Sequence, residues 1–218
     1  MLTQTEENYL KAIFNLETAA AKAVSTNLLS EKMKIKASSV TDMVKKLAEK
    51  EFINYKKYKG VSLTKKGYKT ALKIVRKHRL WEVFLVNKLD YNWDEVHEIA
   101  EQLEHINSDS LINKLDTFLD FPAFDPHGDP IPDKNGKIIP HKNFMLSSLK
   151  ENEQCVVVGV KDSSTSFLKY LNKVSIKLGN VIKVHSIEAF DNSMVIENNN
   201  VSLTVSHQIS KNLFVKKL

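Results

Sequence analysis

Hydrophobic residues recur at helical spacing along the first half of the chain. In "TEENYLKAIFNLE", Tyr9, Ile13 and Leu16 share one face, which predicts a first helix, and the polar stretch "TAAAKAVS" after it predicts a loop. Two shorter amphipathic stretches follow, from Thr26 to Met33 and from Ala37 to Lys50, separated by "KIK". Their lengths and the short spacer predict two helices joined by a tight turn.

The pattern then changes to alternation and back to helical spacing. "FINYKKYKGVSLT" alternates aromatic or β-branched residues with lysines around Gly60, which predicts a two-stranded hairpin with a basic tip. A long helical pattern runs from Lys65 to about Leu89. Asp94 is then predicted to cap a helix from Glu95 to Ile106, and "SDSLINKLDTFLD" to form a third helix.

The second half is separated by a proline-rich stretch and is rich in β-type sequence. All five prolines lie in "FPAFDPHGDPIPDKNGKIIP", which predicts an ordered loop or linker and a boundary nearby. The runs "CVVVGV", "GNVIKVHSIEAF", "SMVIENN", "VSLTVS" and "LFVKKL" predict short strands, with "STSFLKYLNKVS" as the helix-like interruption. The predicted fold class is mainly α with a β-rich C-terminal domain that forms a small barrel or sandwich.

Composition places the chain among globular proteins that work inside the cell. No apolar run approaches the roughly 18 residues of a membrane helix, and the first residues lack the order of a signal peptide, so we expect a cytoplasmic protein. Its single cysteine, Cys155, lies in the apolar run "CVVVGV". A disulfide within the chain is therefore excluded, and a buried strand thiol is the simplest interpretation.

Charge is distributed unevenly along the chain. Residues 1–80 hold 18 Lys and Arg against 7 Asp and Glu, whereas residues 81–150 hold 6 against 13 and residues 151–218 hold 8 against 6. A basic first third indicates a polyanionic partner, and an acidic middle third that also holds four of the seven histidines indicates cations.

The basic third has the order helix, turn, helix and hairpin of a winged helix. In a helix-turn-helix the second helix enters the major groove with its N-terminal residues toward the bases, and lysines neutralise phosphates. A lysine on a helix is most often only solvated, but this order of elements in so basic a segment favours DNA binding. The candidate contacts are Thr26, Lys36, Ala37, Ser38, Ser39, Thr41, Lys45, Lys46, Lys57 and Lys59.

The acidic third carries a helix face made of potential metal ligands. In "HEIAEQLEHI", helical geometry places His97, Glu101, Glu104 and His105 within an arc of roughly 100°, separate from the apolar face. In "RKHRLWEVF", His78 and Glu82 have the same i, i+4 spacing as His97 and Glu101. One such pair is usually an ordinary polar pair, but six residues on adjacent helices could surround divalent ions with imidazole and carboxylate groups. The remaining histidines, His127, His141, His185 and His207, are interpreted as structural or exposed.

Six segments in this order and spacing resemble the diphtheria-toxin-repressor family of metal-dependent transcriptional repressors. They are "TEENYLKAI", "KASSVTDMVKKL", "GVSLTKKG", "RKHRLWE", "HEIAEQLEHI" and "DPHGDPIP", and the likeness covers nearly the whole chain. The resemblance implies a winged helix over residues 1–70, a helical metal-binding and dimerisation domain over 71–142, and an SH3-like, FeoA-type domain over 150–218. It also implies a homodimer that binds a palindromic operator, with no membrane and no small organic substrate as partner.

The resemblance also implies the ligands of two metal sites, and thus two ions per subunit. His78, Glu82 and His97 match the ancillary site of the family. Glu101, Glu104 and His105 match its primary site, to which the first helix adds Glu7 or Asn8. In the last domain, the ligand positions of the family fall on "DSSTS", where Asp162 is the plausible donor.

The ligand types implied by the resemblance indicate the metal. Iron-type members carry cysteine at the position of Glu101 and manganese-type members carry glutamate, and a set of oxygen and nitrogen donors suits Mn(II), with Fe(II) as the alternative. Asn8 stands where iron-type members have methionine and manganese-type members aspartate. Lys11 stands where short manganese-type members have an acidic ligand, whereas His97 favours the longer type.

Three function classes remain open from the residues. The preferred one is a metal-responsive repressor, which is not an enzyme. A dinuclear metallohydrolase would use the same carboxylates and histidines, but the sequence offers no additional general base and an enzyme gives no reason for a basic winged helix. A winged-helix regulator that senses an organic ligand is the third.

Overall fold

A computed structural model describes residues 2–20, 23–56, 59–138 and 144–218. The chain divides into two compact units. Unit 1 comprises residues 1–78, 102–109 and 132–137, and unit 2 comprises residues 79–101, 110–131 and 138–218. The long helix of the middle third therefore contributes residues to both units.

Unit 1 begins with helix α1, Gln4–Ala20, whose buried face contains Tyr9, Leu10, Ile13 and Phe14. The loop predicted over "TAAAKAVS" is wrong at its start, because the helix continues through Thr18 and two alanines. Alanine is the strongest helix former, and it extends the helix without needing apolar contacts.

Helices α2, Thr26–Met33, and α3, Ala37–Glu49, confirm the predicted helix-turn-helix. The Ser25 hydroxyl caps α2 by accepting from the Leu28 backbone N–H at 3.1 Å, and Lys34, at φ 55°, ends that helix in the left-handed region. On α3 the buried residues are Val40, Val44 and Leu47, at helical spacing, so the opposite face is left to solvent.

The predicted hairpin consists of strands β1, Ile53–Lys56, and β2, Gly60–Leu63, paired antiparallel with Ile53 opposite Leu63. Gly60 has φ 94°, and a Cβ there would lie 2.8 Å from the carbonyl oxygen of Val24. The position requires glycine because Val24 pairs with β2 through a bridge to Val61.

The middle third contains helices α4, Lys65–Leu89, α5, Val96–Leu103, and α6, Asp109–Phe118. The prediction for α4 is confirmed, but α5 is shorter than the predicted Glu95–Ile106. Asp94 lies in the turn before α5, where its carboxylate accepts from the Asn172 side chain at 2.9 Å. Glu104 and His105 lie in the turn that follows α5.

The C-terminal part of unit 2 is a six-stranded antiparallel sheet of order β3-β8-β4-β5-β6-β7. Its strands are β3 (Phe144–Met145), β4 (Gln154–Val160), β5 (Val181–Ile187), β6 (Met194–Asn198), β7 (Val201–Val205) and β8 (Leu213–Lys217), and its helices are α7 (Thr165–Lys173) and α8 (His207–Ser210). The expected fold class, mainly α with a β-rich C-terminal domain, is confirmed. The short α8 is a second helical interruption that the strand pattern did not indicate.

Trp93 and the proline-rich loop also join the first part of unit 2 to the sheet. Trp93, between α4 and α5, belongs to the same buried cluster as the sheet core and donates from Nε1 to Asn172 Oδ1 at 2.7 Å. The proline-rich loop packs on β4: the Val160 N–H donates to the His127 carbonyl at 2.8 Å, and a Cβ on Gly128 would lie 2.2 Å from the Gly159 Cα. Cys155 is buried in β4 as predicted, and burial raises the pKa of its thiol to about 11.

Candidate metal centre

Helix α1 presents polar side chains to the turn that follows α5, within unit 1. The Glu7 carboxylate lies 2.6 Å from Nδ1 of His105, and the Lys11 ammonium lies 2.7 Å from Oε2 of Glu104. Glu7 and Lys11 both lie on α1 and are four positions apart, so their side chains share a face of the helix. The Lys11–Glu104 pair is separated by 93 positions in the sequence and the Glu7–His105 pair by 98, and α1 brings both pairs together.

Glu104 is the centre of this group. It is fully buried, and its Oε2 also contacts Nδ1 of His78 in α4 at 2.6 Å. Burial favours the neutral acid, but the hydrogen bond from His78 and the charge of Lys11 outweigh it and hold the pKa of Glu104 below its usual value. We call this group the Glu104 cluster; its members are Glu7, Lys11, His78, Glu104 and His105, and we include Asn8 because it follows Glu7 on α1.

Two buried oxygen atoms of the Glu104 cluster fit a cation. Within the described residues, Oδ1 of Asn8 and Oε1 of Glu104 are buried and have no hydrogen-bond partner. Nε2 of His105 lies 3.9 Å from the same Glu104 oxygen. Buried acceptors without donors are costly, and oxygen and imidazole donors suit a divalent ion, so the residues present fit a metal.

A second group lies in unit 2 and includes residues that sequence reasoning missed. Ligand atoms of Glu82, Asp125 and His127 all lie within 4.8 Å of one another, and all three residues are buried. We call them the Glu82 cluster. His127, interpreted from the sequence as structural or exposed, has its Nδ1 3.4 Å from Glu82 Oε2 and its Nε2 2.8 Å from the Trp93 carbonyl oxygen.

The electrostatics of the Glu82 cluster also favour a cation. Burial, together with repulsion from Glu82 and Asp129, raises the pKa of the Asp125 carboxyl. Burial alone would lower the pKa of His127, but its hydrogen bond to Glu82 and the charge of that carboxylate raise it. Arg79 already supplies a positive charge, with its Nε 3.4 Å from Asp125 Oδ2. Two buried carboxyls side by side are stabilised by additional positive charge.

The Glu82 cluster depends on a turn in the proline-rich loop, and in the sequence only the turn residues indicate it. Asp125 Oδ1 accepts from the backbone N–H groups of His127 and Asp129, at 2.8 and 2.9 Å. This turn aims the His127 ring inward, and Gly128, at φ 86°, allows the chain to pass close to β4. "DPHGD" carries the turn signal, but nothing in the sequence shows that the turn faces Glu82.

The other predicted ligands are placed as follows. His97 and Glu101 are exposed on α5; Nδ1 of His97 lies 3.4 Å from Glu82 Oε1, and its Nε2 lies 3.5 Å from Glu101 Oε1. His78 stands one turn before Glu82 in α4 but belongs to unit 1, in the Glu104 cluster. Glu104 and His105 follow the end of α5, so the single helical arc predicted for all four residues does not hold. Asp162 Oδ1 accepts from the Ser164 backbone N–H at 2.9 Å, just before α7.

Most of the candidate DNA contacts lie on α3 or directly before it. Ala37, Ser38 and Ser39 are exposed in its first turn, and the Thr41 hydroxyl donates to the Ala37 carbonyl at 2.9 Å. Lys36, Lys45 and Lys59 are exposed and Thr26 is half-buried at the start of α2. Lys46 lies 3.2 Å from the buried Glu6 carboxylate. Lys57 lies outside the described residues.

Comparisons with known proteins match three consecutive parts of the chain. Residues 1–61 match the N-terminal DNA-binding domain of the iron-dependent repressors, residues 64–133 their metal-binding and dimerisation domain, and residues 144–217 the FeoA domain. A solved structure described as a manganese-dependent transcriptional repressor in complex with manganese is 32% identical and superposes with a TM-score of 0.79, covering 98% of this chain and 100% of that one.

The chain belongs to the iron-dependent repressor family. Among curated relatives, the iron-dependent repressor IdeR of Mycobacterium tuberculosis is 30% identical over 131 residues, which are 60% of this chain and 56% of that protein. A probable metal transport system membrane protein of Chlamydia trachomatis is 49% identical over 76 residues, which are 35% of this chain and 17% of that protein.

Membership in the iron-dependent repressor family confirms the resemblance and sets one alternative aside. The family consists of DNA-binding transcriptional repressors and not of enzymes, which contradicts the metallohydrolase hypothesis. The FeoA match agrees with the expected SH3-like C-terminal domain. Among the described helices, none combines the length and apolarity needed to cross a membrane.

Proposed function

We propose that the protein is a Mn(II)-responsive repressor whose metal-bound homodimer binds a palindromic operator in the cytoplasm. Residues 1–70 would bind DNA, residues 71–142 would bind metal and form the dimer, and residues 150–218 would support the metal-binding part. The metal supplies positive charge to buried carboxylates and joins chain segments that are far apart in sequence.

The observation that carries this proposal is the set of contacts made by α1. Glu7 contacts His105 at 2.6 Å in the Glu104 cluster, while Glu6, the preceding residue, is buried and accepts from Lys50 at 2.7 Å, next to the end of α3. Glu17, three turns further along, accepts from the Leu63 N–H of the wing at 3.1 Å. Helix α1 therefore contacts the metal candidates, the end of helix α3 and the wing.

Each cluster is proposed to hold one ion. In the Glu104 cluster the ligands are Glu7 or Asn8, Glu104 and His105, with Glu101 added on the strength of the resemblance. In the Glu82 cluster they are Glu82, Asp125 and His127, with His97 3.4 Å from the Glu82 carboxylate. His78, whose Nδ1 lies 2.6 Å from Glu104 Oε2, is a further candidate ligand, and Asp162 is proposed on the strength of the resemblance. These donors are oxygen and nitrogen, which favours Mn(II), and Fe(II) is the alternative.

DNA binding is proposed for the exposed N-terminal part of α3 and the wing. Ser38 and Ser39 would approach base edges and phosphates, and Lys36, Lys45 and Lys59 would neutralise phosphates. Thr26, Ala37, Thr41, Lys46 and Lys57 complete the proposed set. Because Lys46 is paired with Glu6 at 3.2 Å, its contribution to DNA binding is expected to be smaller than that of Lys45.

The test is operator affinity with and without metal. A duplex is first selected by the protein from a random library in the presence of Mn(II), and its affinity is then measured by fluorescence anisotropy in Mn(II), in anaerobic Fe(II) and in chelator. We expect binding at least ten-fold tighter in Mn(II) than in chelator. Equal affinity in all three would overturn the proposal, and tighter binding in Fe(II) would select the alternative metal.

A further inference from the structure

The Glu104 cluster contains a positive charge of the protein's own. Lys11 is buried, at 9% exposure, and its ammonium lies 2.7 Å from the fully buried Glu104 carboxylate. The two residues are 93 positions apart in the sequence. A buried carboxylate needs an opposite charge, and here a side chain from α1 provides it.

The ammonium and a divalent ion would serve the same carboxylate. Lys11 and His78 both contact Oε2 of Glu104, whereas Oε1 is buried and has no hydrogen-bond partner among the described residues. Asn8, one turn before Lys11 on α1, also has a buried Oδ1 without a hydrogen-bond partner among the described residues. A cation bound by Oε1 of Glu104 would share this carboxylate with the ammonium on Oε2, and like charges at short distance in a buried site repel strongly.

We propose that Lys11 is the resident counter-cation of Glu104, which an incoming metal ion must displace or oppose, and that Lys11 thereby sets the metal concentration at which the Glu104 cluster fills. This inference rests on the proposed function of that cluster. Without metal, the ammonium neutralises Glu104 and stabilises the fold. With metal, the same ammonium weakens binding, so that the protein responds only when the ion is abundant.

The first test is the substitution Lys11→Met, which keeps a long apolar stem and removes the charge. We expect the Mn(II) dissociation constant of the Glu104 cluster, measured by calorimetry on the full chain, to fall at least ten-fold. The metal-free protein should melt at a lower temperature than the wild type, and Mn(II) should raise its melting temperature by more. Lys11→Arg, which keeps the charge, should resemble the wild type in both measurements.

A matched control separates this effect from the general loss of a positive charge. Lys73→Met also removes a lysine of unit 1, but that ammonium is exposed and pairs at 3.4 Å with the exposed Asp109. It should leave both Mn(II) affinity and metal-free stability unchanged. An equal gain of Mn(II) affinity in Lys73→Met and Lys11→Met would contradict a role specific to Lys11.

The remaining outcomes decide between the two proposals. Unchanged or weaker Mn(II) binding by Lys11→Met, with wild-type binding intact, would overturn the role of Lys11 and leave the repressor proposal standing. Absence of Mn(II) binding by the wild type would overturn the repressor proposal itself. If Lys11→Met does not fold without metal, we expect Mn(II) to restore folding, and failure to do so would count against the counter-cation role.

Discussion

At the scale of single residues, the Glu82 cluster depends on a backbone approach that only glycine allows. Gly128 combines φ 86° with a close approach to β4, where a Cβ would lie 2.2 Å from the Gly159 Cα and 2.3 Å from the Val158 carbonyl oxygen. Both neighbours are backbone atoms and cannot rotate away. The position of His127, one residue earlier, is therefore fixed by the packing of the loop on the sheet.

Replacing Gly128 should separate the loop from the sheet. For Gly128→Ala we expect the free energy of unfolding to fall by about 3 kcal/mol, since the left-handed conformation costs an alanine about 1–2 kcal/mol and the overlap adds a similar amount. Gly179→Ala is the control, because its φ is 82° but nothing lies within 4 Å of the added Cβ. Urea denaturation followed by circular dichroism measures both, and equal losses would show that the close approach is unimportant.

At the scale of elements, helix α1 connects the Glu104 cluster of unit 1 to the end of helix α3. Glu6 is fully buried and lies 2.7 Å from Lys50 and 3.2 Å from Lys46. Burial would raise the pKa of its carboxyl, but hydrogen bonds from Lys50 and the Thr3 backbone outweigh it and lower the pKa to about 2. Glu6 is therefore ionised at neutral pH and fixes the end of α3 to the start of α1.

Removing the Glu6 charge should weaken this connection without removing a metal ligand. For Glu6→Gln we expect a loss of stability of about 2 kcal/mol, because a buried carboxylate that pairs with two partly exposed lysines contributes less than a fully buried pair. The ratio of operator affinities with and without Mn(II) should shrink several-fold, measured by anisotropy. Glu49→Gln, at an exposed position on α3, serves as the control. An unchanged ratio in Glu6→Gln would mean that α1 does not transmit the metal signal through this pair.

Elements with strong periodicity were predictable from the sequence, and sites formed by turns were not. The apolar spacing of α3 and the long helical pattern of α4 predicted bounds that agree with the observed helices to within one residue. The end of α5 was missed, because the polar residues Glu104 and His105 continue a helical spacing although the chain turns at Leu103. Asp125 and His127 were missed as a pair, because a loop has no period and its contacts with α4 depend on tertiary packing.

At the scale of the whole molecule, the two clusters lie in different units and use different ligands. The Glu104 cluster is built from α1, α4 and the turn after α5, and the Glu82 cluster from α4 and the proline-rich loop. Glu7, Glu104 and His105 belong to the first, and Asp125 and His127 to the second. Each site can therefore be removed by substitutions that leave the ligands of the other in place.

The number of bound ions should follow this division. We expect about two Mn(II) per wild-type subunit, and about one for Glu104→Gln and for His127→Ala, measured by equilibrium dialysis and atomic absorption. Each variant loses a ligand of one cluster and keeps the ligands of the other. His185→Ala is the control, since that imidazole is exposed and pairs with Glu197 at 2.9 Å. Loss of all Mn(II) in either single-site variant would show that the clusters do not bind independently.

The measurement that tests the repressor function most directly is the affinity for Mn(II) with and without operator DNA. If metal strengthens DNA binding, the operator must strengthen metal binding by the same factor, because the coupling free energy is shared. Titration of the wild-type protein by calorimetry, alone and saturated with the selected duplex, should show Mn(II) binding at least ten-fold tighter in the complex. Identical Mn(II) affinities in the two titrations would contradict a metal-dependent repressor.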